Sequence, residues 1–217
     1  MPRHHGRSRT NQYGPGGAVK AAPVQMWRPG PDLGADAGTG TAGWLAHAHG
    51  SPEAASLEWT ERNVAVLPLG TRFDTVRIPV GIIYAALGTR SRTVVGPLLE
   101  LALHGPVIQD SERWFYPLVP VGGAPDWTAP AGTYLARGWL GVPRPDQLAP
   151  PGMYWCVPAR EPGRLCDLAR VAALVEAGFA RSQGEGRSQE RAQGDDRSQE
   201  RSQGDDRSQR DEGPART

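Results

Sequence analysis

Groups able to do acid–base, metal or phosphate chemistry are few and scattered in this chain. Between Leu57 and Ala180 the carboxylates are Glu58, Glu61, Asp74, Glu100, Asp110, Glu112, Asp126, Asp146, Glu161, Asp167 and Glu176, eleven against eleven arginines. Holding a divalent ion against a phosphate calls for carboxylates that converge, for instance two positions apart on one strand. Asp110 and Glu112 have that spacing but fall in a predicted turn. There is no G-x-S-x-G elbow, no Walker loop and no G-x-G-x-x-G. His104 sits at a predicted helix end, where it complements the dipole and the last carbonyls instead of serving as a base. His4, His5, His47 and His49 lack a Cys or carboxylate partner at ligand spacing and read as solvated histidines. Cys156 and Cys166 stand ten apart with no histidine nearby, which reads as two reduced packing thiols without a metal.

The aromatics are more informative. Trp114, Phe115, Tyr116, Tyr134, Trp139, Tyr154 and Trp155 all fall on predicted strands late in the chain. Strand aromatics mostly build a core, but outward-facing ones can stack bases. Adjacent residues such as Tyr154 and Trp155 must point to opposite faces.

The elements expected to position these groups follow from periodicity and punctuation. "GWLAHAHGSPEAASLEWTER" suggests one or two short helices, with Ser51 as cap, Pro52 at the first position and Glu53 at the positive end. "NVAVLPLG" and "RFDTVRIP" read as strands. "PVGIIYAALG" is a helix with Val80, Ile83 and Leu87 on one face, and "SRTVVGPLLELALHG" is a second one, bent or begun afresh at Pro97. "GPVIQD" pairs with "RWFYPLVP" around Asp110-Ser111-Glu112, "TYLARG" pairs with "WLGVPRP" around Gly138, and "MYWCVP" is a further strand. "DLARVAALVEAG" closes the domain as a helix capped by Asp167, buried through Leu168, Val171, Leu174 and Val175, and stopped by Gly178. The fold class is α+β, a mixed or antiparallel sheet packed by helices.

This domain occupies residues 41–178. Residues 1–40, rich in Gly, Pro and Ala, read as a disordered leader, and 179–217 as a disordered tail. The tail carries a ten-residue repeat from Arg181 to Arg210, "RSQGEGRSQE", "RAQGDDRSQE", "RSQGDDRSQR", with no apolar face to stack. From Arg181 to Thr217 it holds eight Arg against nine Asp plus Glu. The net charge of +1 argues against a strong general affinity for polyanions. No signal-peptide pattern and no apolar run of membrane-spanning length is present, so the expected location is cytoplasmic, with no membrane partner.

Three stretches taken in order carry a resemblance: "VAVLPLG", then "GPVIQDSERWFYPLVP", then "TYLARGWLGVPRP" followed by "GMYW". From Ala65 to Trp155 their order resembles the bifunctional DNA primase/polymerase N-terminal (prim-pol) family, in a short, diverged, stand-alone form. The resemblance implies a primase-polymerase-like fold and a link to DNA replication. Family enzymes hold two metal ions on acids of adjacent strands for nucleotidyl transfer. Here the expected D-x-D falls around Val76, Arg77 and Ile78, the expected histidine near Trp114 or Phe115, and the expected late acid at Leu135.

A pseudoenzyme is therefore implied, with no catalytic residue and no metal site. Asp74 and Asp110 remain as weak metal candidates, and Mg²⁺ enters only if activity survives. Arg77, Arg113 and Arg137 are the candidates for phosphate or nucleic-acid contact, since they lie on or beside the strands that would line the cleft. The plain alternative for each is a rim ion pair to Asp74, Asp110 or Glu112. The rival function is a protein-interaction module on the same fold with a filled cleft. An enzyme of another class would need a pocket gathering Asp74, Asp110 and His104.

Overall fold

The structure, a computed structural model, describes residues 40–111 and 113–184. The leader with His4 and His5, the repeats from 185 onward and Glu112 lie outside the described residues. The elements in order are α1 (Thr41–Ala46), α2 (Pro52–Arg62), β1 (Val64–Pro68), β2 (Asp74–Pro79), α3 (Val80–Leu87), α4 (Arg92–Leu103), β3 (Val107–Asp110), β4 (Trp114–Val119), β5 (Thr133–Leu135), β6 (Trp139–Pro143) and β7 (Met153–Val157), then α5 over 168–184.

Local signals account for most of these. The Ser51 hydroxyl accepts the Ala54 N–H at 3.3 Å, with Pro52 opening α2. Asp167 caps α5 by accepting the Ala169 and Arg170 N–H groups. α3 starts after Pro79 and ends on left-handed Gly88. α4 runs unbroken from Arg92 to Leu103 with Pro97 inside it, so the chain does not begin a new helix there. Nor does α5 stop at Gly178. That glycine is buried mid-helix because α3 packs against it: a Cβ would lie 2.1 Å from the Ile82 carbonyl oxygen. Close helix packing, not termination, is the role of this position.

Five strands form an antiparallel sheet in the order β5-β2-β4-β3-β7, and β1 pairs with β6 as a separate antiparallel ribbon. The β3–β4 hairpin forms as its turn residues suggest, with the Arg113 N–H on the Asp110 carbonyl at 3.1 Å. β5 and β6 do not pair with each other, contrary to their sequence pattern. β5 joins β2 through Leu135↔Thr75, and β6 joins β1 from Trp139↔Pro68 to Pro143↔Val64. Gly138, at φ +97°, turns the chain from one sheet to the other, a bend that disfavours residues with a Cβ.

Both faces of the five-stranded sheet are covered, which is why Tyr154 and Trp155 point apart and are both buried. On one face Val76, Ile78, Phe115, Val119 and Val157 meet Ile83 of α3, Val95, Leu99 and Leu103 of α4, and Val171 and Val175 of α5. On the other face Ile108, Leu118 and Trp155 meet Leu67, Leu140 and Val142 of the ribbon, with Leu45, Ala55 and Trp59 of α1 and α2 behind. Full burial of each such large side chain contributes about 1.5–3 kcal/mol. Buried indole N–H groups are paired, Trp59 to the Val142 carbonyl at 2.9 Å and Trp155 to Pro143 at 3.1 Å. Among the described residues no helix is long and apolar enough to cross a membrane.

Candidate nucleic-acid interface

The ribbon side of the sheet is closed at its Leu118 end and less covered at its Trp114 end. The register Ile108↔Tyr116 and Asp110↔Trp114 puts Asp110, Trp114 and Tyr116 on that face. The β2–β4 register, Thr75↔Leu118 and Ile78↔Phe115, sets Arg77 across from Tyr116 and diagonal to Trp114. The Arg77 Cζ lies 4.8 Å from the Trp114 ring centroid, a cation–π contact. Arg77, Asp110, Trp114 and Tyr116 are partly buried, and Arg113 beside them is exposed. Arg113 is tied in place through its carbonyl, which accepts the Val80 N–H at 3.1 Å. Met153 pairs with Asp110, and a Cβ on Gly141 would stand 3.0 Å from the Met153 sulfur. The ribbon thus meets this shelf at its β7 side.

The charges on the shelf act on Tyr116. Burial pushes its hydroxyl above the usual tyrosine value; the Asp110 carboxylate adds to the rise, and Arg77 and Arg113 oppose it. Two guanidinium groups and one carboxylate therefore act on this hydroxyl. Among the described residues the ion pairs are Arg144–Asp146, Arg160–Glu100 and Arg164–Glu161, so neither Arg77 nor Arg113 is in one. The Arg77 Nε is buried without a hydrogen-bond partner. Arg77 lies over the Trp114 ring and is in no ion pair among the described residues, which do not include Glu112.

Arg137 does not belong to this group. It is exposed in the β5–β6 crossing, past Leu135↔Thr75, whereas Arg113 adjoins the Pro79↔Trp114 end of β2. The two arginines mark opposite ends of the sheet.

Asp74 and Asp110 are also apart. Asp74 pairs with Val119 and Asp110 with Trp114, five steps along β4, or about 17 Å. They also face opposite sides of the sheet. Asp74 is fully buried, and its Oδ2 accepts the Gly122 N–H at 2.9 Å and the Tyr134 hydroxyl at 2.8 Å. Its Oδ1 is buried without a partner. Burial first, and then the hydrogen bond from Tyr134 to Asp74, push the Tyr134 hydroxyl up to about 12. Asp74 is an interior anchor for the turn after β4. These residues do not fit a two-ion carboxylate centre, and no group of three potential metal ligands exists among the described residues.

His104 caps α4 in a left-handed conformation, exposed, with its carbonyl accepting the Arg164 Nε–H at 3.0 Å. It borders a small cavity with Glu100 and Arg160, and a wider groove runs between Tyr84, Arg90, Phe179 and Ser182. Neither is lined by Asp74, Asp110, Arg77 or Trp114.

Of the positions where the prim-pol resemblance expects an acid or histidine, Val76, Ile78 and Phe115 face the helices, Phe115 as the direct partner of Ile78, while Trp114 and Leu135 lie on the ribbon face. The late-acid position therefore does not share a face with the D-x-D positions. Sequence reasoning missed the pairing of Arg77 with Trp114, whose signal is the diagonal register of two strands far apart in the chain. No family model, no curated protein and no solved structure matches this chain.

Proposed function

We propose that the open end of the sheet binds single-stranded nucleic acid without catalysing any change in it. One observation carries the reading: the Arg77 guanidinium lies over the Trp114 ring, Cζ 4.8 Å from its centroid, while its Nε stays buried and unpaired. The contact with the indole holds the guanidinium at this end of the sheet, and its terminal N–H groups suit a phosphate. Arg113 supplies a second cation, and Trp114 and Tyr116 supply surfaces on which bases stack. The shelf is open, which suits a strand better than an enclosed mononucleotide. The primase-polymerase resemblance fits this proposal in one respect, since β5, β2 and β4, three of the strands it aligned, are neighbours in the sheet. Nucleotidyl transfer is not part of it, because Asp74 is committed to Gly122 and Tyr134 and lies on the other face from Asp110.

Fluorescence anisotropy with a labelled short oligonucleotide, read across a range of salt, tests the proposal. Binding should weaken with salt, and Arg77→Ala and Arg113→Ala should each lower the salt slope by about one contact. A flat salt dependence, or variants that bind like the parent, would refute it. A second reading rests on Trp139, 66% exposed, and Val66, 44% exposed, which share the outer face of the ribbon. They form an apolar patch suited to a protein partner. Oligonucleotide binding weakened by Trp139→Ser as much as by Arg77→Ala would argue against separating the two surfaces.

A further inference from the structure

We infer that Asp110 makes the shelf selective for guanine, an inference that rests on the nucleic-acid reading above. Asp110 and Trp114 are direct partners across the β3–β4 hairpin, so their Cβ atoms stand about 4.5–5.5 Å apart. Among the described residues the Asp110 carboxylate carries neither a side-chain hydrogen bond nor an ion pair, although Arg77 and Arg113 both act on the neighbouring Tyr116. Arg77 is committed to the Trp114 ring instead. A base entering here stacks on the indole face that Arg77 does not cover. A carboxylate then lies beside it and repels the phosphates, which are drawn to Arg113 and the terminal N–H groups of Arg77.

A carboxylate offers two acceptors and no donor. Guanine alone among the common bases presents two adjacent N–H donors, N1–H and the N2 amino group, and these match the two oxygens. Adenine and cytosine each set a ring-nitrogen lone pair beside their amino group. Thymine and uracil flank their single N–H with two carbonyl oxygens. Each of these brings an acceptor against the carboxylate, with the repulsion of unpaired polar atoms. The bidentate, charge-assisted pair goes to guanine.

The test uses the full chain and short thymidine oligomers with one central guanine, adenine, cytosine or hypoxanthine, read by anisotropy. The guanine oligomer should bind about tenfold more tightly than the adenine and cytosine oligomers, a ratio typical of one bidentate base contact. Hypoxanthine, which keeps N1–H and lacks the amino group, should fall between. Asp110→Asn, with one donor and one acceptor, should erase the preference while the salt slope stays as in the parent. Salt-dependent binding with equal affinity for all four overturns the guanine inference and leaves the binding reading standing. A preference that survives Asp110→Asn does the same. The absence of salt-dependent binding to any oligomer overturns both. The hypoxanthine comparison alters only the ligand, so it decides the question even if Asp110→Asn fails to fold.

Discussion

Replacing Asp74 separates an interior anchor from a metal ligand. Its Oδ2 accepts two hydrogen bonds, from the Gly122 N–H and the Tyr134 hydroxyl. In Asp74→Ala the Gly122 N–H loses its side-chain acceptor, which costs about 1–3 kcal/mol where the group stays dry. The Tyr134 hydroxyl has a second acceptor in the Pro120 carbonyl at 3.1 Å, so it is not orphaned. The charge-assisted bond it loses is worth about 1.5–3 kcal/mol. Against these stands relief from burying a carboxylate with one unpaired oxygen. The net expectation is a destabilisation of about 3 kcal/mol, or roughly 10 °C in Tm for a domain of this size. Asp74→Asn keeps an acceptor for both donors and sheds the buried charge, so it should cost about 1 kcal/mol or less. Urea unfolding of the three proteins, with and without Mg²⁺ or Mn²⁺, measures this. An alanine variant within about 0.5 kcal/mol of the parent would refute the anchor argument. So would a stabilisation by Mn²⁺ that is present in the parent and lost in Asp74→Asn.

Two further outcomes follow from buried groups. Burial pushes the Cys156 and Cys166 thiols up to about 12, so at about pH 8 neither should label quickly with a thiol reagent until the protein is unfolded; rapid labelling of the native protein would contradict their placement. Tyr134 has a folded pKa raised from 10.0 to about 12, so its contribution to stability is complete below pH 10 and is lost as pH rises from there toward 12. The urea midpoint of the parent should therefore fall more steeply than that of Tyr134→Phe across this window, and parallel curves would sink the assignment.

Local chemistry made the helices legible. Ser51-Pro52, Pro79 with Gly88, and Asp167 act within a few residues of their own position, and all of them cap or bound helices as read. The β3–β4 hairpin was legible for the same reason. The β5–β6 pairing was misread because the partner that wins, β1, lies about seventy residues earlier and leaves no local mark. Gly178 was misread because a terminating glycine and a close-packing glycine look alike until Ile82 is placed against it. The site was half legible. Arg77 and Arg113 could be named from strand assignments as phosphate candidates and Asp110 only as a weak metal candidate, and their placement relative to one another needed the β2–β4 and β3–β4 registers. The β2 registers also remove Arg137 and Asp74 from the group.

Arg77 is hard to account for as a device of stability alone. A cation–π contact of this kind contributes about 0.5–2 kcal/mol, while an unpaired buried donor costs about 1–3 kcal/mol. The two nearly cancel, and an apolar side chain of similar length would cover Trp114 without the orphaned nitrogen. Asp110 is close enough for its charge to act on Tyr116, as Arg77's does, yet the guanidinium lies on the indole and not on the carboxylate. Among the described residues both charges are thereby left without an ion-pair partner, each beside the same aromatic surface. A shelf that needs one cation for a phosphate and one anion for a base edge has to keep them apart, and the Trp114 ring is what holds the Arg77 side chain away from the pairing that would cancel both.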